Sequence, residues 1–240
     1  MGYHTMTAEQ LKAFSQYLRE DERESSTIEK YLREIKDFFV WIRGQTVTRE
    51  RIAEWKEDLR RAGRKSVTIN GKLSALNKFF TFLGWTDCRT KYLKVQRKLF
   101  RSTEKQLTKQ EYIRLLEAAH SLGRERLALL METICATGIR VSEVQYITVE
   151  AVQTGQTEIA LKGKIRTILL PGKLCRKLQK YAKKRKIVSG EIFLTRNGKG
   201  LSRRQIWAEM KSLCEKAGIM PSKVFPHNLR HLFAQTFYRV

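Results

Sequence analysis

Two short spacings in this sequence bring together residue types suited to holding an oxyanion. Arg140 and Glu143 stand three apart in Ala136-Thr137-Gly138-Ile139-Arg140-Val141-Ser142-Glu143, and His227 and Arg230 stand three apart in Pro226-His227-Asn228-Leu229-Arg230-His231. At that spacing two side chains share one face of a helix. A guanidinium is planar, stays charged at any working pH and matches two phosphate oxygens with its fork. Two such groups aimed at one phosphodiester would stabilise the charge that gathers on its non-bridging oxygens during transfer. Taken alone, each pair is also what a surface ion pair or a helix-end contact looks like. Their meaning depends on the elements that carry them.

The first part of the chain reads as four helices. Thr7 with Gln10 and Ser26 with Glu29 form capping-box patterns. Ile28, Tyr31, Leu32, Ile35, Phe38, Phe39 and Ile42 recur at three and four, one apolar stripe with charges opposite. Ile52, Trp55 and Leu59 suggest a third helix, and Ile69, Leu73, Leu76, Phe79, Phe80 and Leu83 a fourth that ends near Gly84. A further capping box, Thr108 with Glu111, opens a second helical stretch through Tyr112, Leu115, Leu116 and Ala119, and another helix through Leu127, Leu130, Met131 and Ile134 runs into Ala136-Thr137-Gly138. The pattern then changes to Glu158–Leu161 and Ile165–Leu170, two strands joined across Lys162-Gly163-Lys164, a hairpin with glycine at its turn. Helices are expected again over Lys173–Lys186, at about 203–217 capped by Ser202 with Gln205, and from Pro226 as a first-turn residue through His227, Arg230, Phe233 and Phe237. Arg140 is expected at the start of a helix. The fold class is mainly α with a small β-sheet, divided as a helical domain over 1–87, a basic linker over 88–106 and a mixed α+β domain over 107–240.

Charge narrows the class of partner. The chain has 48 Lys and Arg against 24 Asp and Glu, a formal net charge of +24, which points to a polyanion. The excess is +3 over residues 1–87, +6 over 88–106 and +15 over 107–240, so the linker and second domain carry the field. Lys72, Arg97, Arg101, Lys164, Lys199, Arg203 and Arg204 are candidate contacts to the phosphates of such a partner, each also a plausible solvated residue. An RNA-binding reading is weaker, because neither an aromatic-studded sheet motif nor a GXXG loop occurs. Cys88, Cys135, Cys175 and Cys214 lie 47, 40 and 39 residues apart with no histidine at ligand spacing, so neither a metal site nor a disulfide framework is indicated. No apolar run approaches bilayer length and no signal-peptide core is present, which predicts a cytoplasmic protein without a membrane segment.

These residues carry a family resemblance. Ala136–Glu143 resembles the first signature of the tyrosine-type site-specific recombinases, or phage integrases, and Pro226–His231 resembles their second. Between them Leu161-Lys162-Gly163-Lys164-Ile165-Arg166 is similar to the family's hairpin bearing the catalytic lysine. The resemblance extends to the helical first domain, which matches the family's SAM-like core-binding bundle, and to the basic linker.

It implies a DNA strand transferase that works through a covalent 3′-phosphotyrosyl link, on duplex DNA, as a homotetramer when complete and without a cofactor. Arg140 and Arg230 would grip the scissile phosphate, Glu143 would hold Arg140, Lys162 would protonate the departing 5′ oxygen with Lys164 as its understudy, and His227 would donate to the phosphate or assist proton transfer. The sequence departs from the family at the nucleophile. Tyr238, the tyrosine beyond the second motif, follows Arg230 by eight residues, too close for the family spacing, and is read as a packing residue or exposed tip. His231 is read as a helix-surface or packing residue. The expectation is a chain shortened at its C-terminus that binds DNA with little or no cleavage. The rival expectation is a non-catalytic DNA-binding accessory or decoy protein.

Overall fold

The structure is a computed structural model that describes residues 4–95, 105–161 and 164–237. The chain divides into two compact units, Met1–Leu99 and Phe100–Val240.

In the first unit the amphipathic stripes become α1 (Ala8–Glu20), α2 (Ser25–Ile42), α3 (Arg49–Arg61) and α4 (Ser66–Phe82). Their apolar faces meet in one core that includes Phe14, Ile35, Phe38, Ile52, Trp55, Leu73, Leu76, Phe79 and Phe80. Edge contacts among its rings, such as Phe14 on Phe79 at 5.2 Å and Phe38 on Trp55 at 5.0 Å, add to the apolar burial. The Thr7–Gln10 capping box closes in both directions. The Ser26–Glu29 box does not open its helix, because α2 begins two residues earlier than it predicts, with Glu24 at the cap position.

The first stretch of the expected linker is not free of the unit. Cys88 is buried in the first core, and the strand of chain after it is stitched to α4 by two asparagines seven apart. Asn77 accepts from the Thr90 N–H at 3.0 Å and donates to the Thr90 carbonyl at 2.9 Å; Asn70 does the same for Leu93 at 2.7 and 2.9 Å. A side-chain amide carries the same donor and acceptor as a peptide group, so α4 pairs with extended backbone as a sheet edge would.

The second unit opens with α5 (Lys109–Ser121), where the Thr108–Glu111 box is formed, followed by α6 (Glu125–Thr137). A 3₁₀ turn over Val141–Tyr146 and the short α7 (Val149–Thr154) lead to β1 (Gln156–Leu161) and β2 (Lys164–Leu169), then to α8 (Gly172–Lys184), α9 (Arg203–Lys211), α10 (Cys214–Ala217) and α11 (Pro226–Phe237). The two strands pair antiparallel with Ile159 opposite Arg166 and Leu161 opposite Lys164. Period-two alternation puts Ile159 and Ile168 into the core, while Ile165 and Leu169 stand 73% and 71% exposed. The one helix expected at about 203–217 is two. Ser212 turns its hydroxyl onto the Glu209 carbonyl at 2.8 Å, competing with the backbone ladder, and the chain bends to bury Leu213. α11 packs on α6, and Leu229 of α11 joins Leu127, Met131 and Ile134 of α6 in the core.

Candidate phosphate-binding site

Gly138 sets the site's first wall. It ends α6 with φ +63°, a left-handed conformation that glycine adopts at little cost. A side chain there is excluded twice, since a Cβ would also collide with the Phe233 ring of α11. The carbonyl of Gly138 accepts a hydrogen bond from the Arg230 guanidinium. The junction of the first motif thus receives the arginine of the second directly, across 92 positions of sequence.

Two residues on, Arg140 caps the 3₁₀ turn and not an α-helix. Its relation to Glu143 is therefore not the shared helical face expected from the spacing. The Glu143 carboxylate reaches back to the Arg140 backbone N–H through Oε2 at 2.8 Å and takes the Arg140 guanidinium on Oε1 at 2.8 Å. A third arginine completes the arrangement: Arg166 of β2 donates to Oε2 of the same carboxylate at 2.5 Å. The Glu143 side chain is 1% exposed, whereas those of Arg140 and Arg166 are 56% and 37% exposed. The carboxylate is a buried anchor with two cationic arms opening to solvent.

The electrostatics agree with that geometry. Burial alone would raise the Glu143 pKa, but the Arg140 amide and guanidinium and the charge of Arg166 outweigh it and hold the carboxyl below its ordinary value. Arg230 is shifted down from its usual value, by burial first and then by the nearby charges of Arg140 and Arg166, with Glu143 acting in the opposite sense. Three guanidinia around one carboxylate leave a local charge of +2, which an anion would relieve.

His227, at the start of α11, is exposed, and its ring lies 4.3 Å from that of His231, which is half-buried on the next turn. Asn228 between His227 and the core fixes the helix start. It is buried and donates to the carbonyls of Lys105 at 2.7 Å and Lys223 at 2.8 Å. The structure thus brings together Arg140, Glu143 and Arg230, and adds Arg166. Lys162, Arg97, Arg101 and Tyr238 lie outside the described residues; of Lys164 the backbone pairing with Leu161 is described.

Sequence reading passed over Arg166 although a signal was there. In β2 it shares the inward face with Ile168, so a charge occupies an apolar position of the alternation and requires a buried partner.

Among the other candidates, Lys199, Arg203 and Arg204 are exposed. Lys72 is not available as expected. It is 9% exposed and ties α4 to α2 through Glu34 at 2.6 Å and Asp37 at 2.5 Å. Helical periodicity had placed Lys72 beside Leu73 without showing which acids α2 would set opposite it. The first unit offers a different basic surface, a hollow of about 640 Å³ lined by Arg49, Arg89, Lys91 and Tyr92 among others. His4, Asp87 and Cys88 also converge, their ligand atoms within 4.8 Å of one another. They are internally satisfied. His4 Nε2 meets Asp87 at 3.0 Å, its ring stacks on Trp85, and the Cys88 thiol donates to the Val47 carbonyl at 3.5 Å. Burial pushes that thiol up to about 11, with Asp87 adding to the shift. The cluster clasps the N-terminal segment to the unit.

A SAM-like helical unit followed by a mixed unit with an arginine pocket on the end of its second helix, its hairpin and its last helix is an integrase-type architecture. The phage integrase family model matches residues 105–240, and the phage integrase N-terminal SAM-like domain matches residues 11–87. The chain belongs to the phage integrase family, the tyrosine recombinases. Its relatives include tyrosine recombinase XerC of Roseiflexus castenholzii, 28% identical over 97% of this chain and 66% of that protein. Tyrosine recombinase XerA of Pyrococcus furiosus is 32% identical over 57% of this chain and 49% of the relative. The chain thus spans about half to two-thirds of those two lengths. Among solved structures, a lambda integrase tetramer bound to a Holliday junction matches with a TM-score of 0.79 at 20% identity, over 98% of this chain and 74% of the other. XerH bound to its difH substrate matches with a TM-score of 0.67 at 20% identity, over 98% and 75%. At these identities the likeness is one of fold. Among the described residues no helix is long and apolar enough to cross a membrane.

Proposed function

We propose that this chain binds duplex DNA at a recombination site and holds one scissile phosphate between Arg140 and Arg230. The observation that carries the reading is the convergence of the two motif arginines on the Gly138–Glu143 turn, with a buried carboxylate holding one of them and a backbone carbonyl the other. Preorganised donors of this kind stabilise the transition state because they need not reorient as charge develops. The recombinase complexes with DNA among the structural neighbours support the choice of ligand.

In the reaction proposed, a tyrosine hydroxyl attacks the phosphorus, the bond from phosphorus to the 5′ oxygen breaks, and the 3′ end is left on the enzyme as a phosphotyrosine. Lys162 gives the departing 5′ oxygen its proton, with Lys164 next in order, and His227 donates to the phosphate or assists removal of the proton that the attacking tyrosine hydroxyl loses. Glu143 holds the Arg140 guanidinium in place. Lys199, Arg203 and Arg204 are proposed to meet the DNA backbone, and assembly as a tetramer is proposed for the complete enzyme. Tyr238 follows Arg230 by eight residues, too close for the family spacing, and is not proposed as the attacking group.

Selecting bound duplexes from a random pool, then offering a nicked suicide form of the selected site, tests both parts. Binding that is lost in the double variant Arg140→Gln, Arg230→Gln, with no covalent protein–DNA band on a denaturing gel, is the expected result. Full binding by the double variant would overturn the phosphate site, and a robust covalent band would overturn the reading of Tyr238.

A further inference from the structure

We propose that Arg166 is a positioning residue of the phosphate pocket, sharing the Glu143 carboxylate so that Arg140 keeps charge for a phosphate and the β1–β2 hairpin is fastened to the turn that carries Arg140. The inference rests on reading the pocket as a phosphate site.

Three observations lead to it. Arg140 and Glu143 alone would form a neutral pair, with the carboxylate buried and the guanidinium largely quenched. Arg166 takes Oε2, the oxygen that also accepts the Arg140 backbone N–H, and leaves Oε1 to the Arg140 side chain. One negative charge is thereby divided between two cations, and the group as a whole is positive. Next, the strand carrying Arg166 is held by the core. Its register partner Ile159 is buried, and so is Ile168 two residues on. The ion pair therefore links a fixed strand to a fixed turn and does not trail from a mobile loop. Last, Arg166 follows Lys162, the proposed proton donor, by four positions, so the ion pair fixes the strand that leads away from it.

The test compares two duplexes carrying the selected site. One has every phosphate; the other has an uncharged methylphosphonate at the position where Arg140→Gln and Arg230→Gln cease to weaken binding. Arg166→Gln removes the charge while keeping a donor for Oε2. It is expected to cost about tenfold in affinity on the first duplex and little on the second, because a contribution made through that phosphate vanishes with its charge. Arg166→Lys, which still gives Oε2 a cation, is expected to restore most of the loss.

Equal losses on both duplexes would mean that Arg166 only supports the fold, and no loss on either would mean that it does not act on the pocket; each overturns the proposal. Lysine behaving like glutamine would overturn the charge-sharing part. If Arg166→Gln fails to fold by circular dichroism, the decision passes to Arg166→Lys, whose loss, measured on the same two duplexes, is expected to be small and confined to the first. If no position exists at which Arg140→Gln and Arg230→Gln become silent, it is the phosphate-site reading that fails, and the two failures are thereby told apart.

Discussion

At Glu143 an almost wholly buried carboxylate stays ionised because two guanidinia and a peptide N–H face it. Its pKa is held below the ordinary 4.5, so the folded state binds this proton less readily than the unfolded chain does. The stabilisation it gives is therefore complete above about pH 4.5 and disappears as pH falls through the lowered folded value. Glu143→Gln is expected to cost on the order of 3 kcal/mol near neutrality, since it leaves three arginines facing one another. The melting-temperature gap between wild type and variant should narrow below about pH 4.5, and a gap that widens with acid would contradict this. Gly138→Ala should cost more than the roughly 1–2 kcal/mol of left-handed strain, because the new methyl also meets Phe233; urea unfolding gives the figure. At this scale the convergence of Arg140, Glu143 and Arg230 was legible through their motifs. Arg166 was hidden because its importance lies in a pairing 23 residues away, which strand alternation flags only as a misplaced charge.

Local signals served most elements where both partners of an interaction are close in sequence, the Ser26–Glu29 box and the Arg140 turn excepted. The capping boxes at Thr7, Thr108 and Ser202 all form, each needing no more than a hydroxyl and an amide or carboxylate three residues apart. Signals failed where distant groups decide the outcome. Residues 89–93 look like tether until Asn70 and Asn77 of α4 capture their backbone. Lys72 belongs to the same class. Lys72→Met is expected to destabilise the first unit by about 1–3 kcal/mol, through the acids of α2 left without their cation, and to leave DNA affinity unchanged. Denaturant melts and binding titrations of that one variant separate a structural lysine from a DNA-contacting one, and a large affinity loss without destabilisation would reverse the assignment.

For the whole molecule, a net charge of +24 points from composition alone to the polyanionic partner proposed above, because charge excess needs no knowledge of the fold. What composition could not supply is which cations stay free once ion pairs form. Lys199, Arg203 and Arg204 are exposed while Lys72 is spent inside. Replacing those three by alanine should make the plot of log affinity against log salt shallower by about one unit for each phosphate that is no longer neutralised. An unchanged slope would remove them from the interface. The most direct test of the pocket itself is a crystal structure of this chain on its selected duplex, measured from the guanidinium nitrogens of Arg140 and Arg230 to the nearest phosphorus. Both arginines should hydrogen-bond oxygens of one and the same phosphate. Finding them on different phosphates, or turned away from the DNA, would contradict the function proposed for this site.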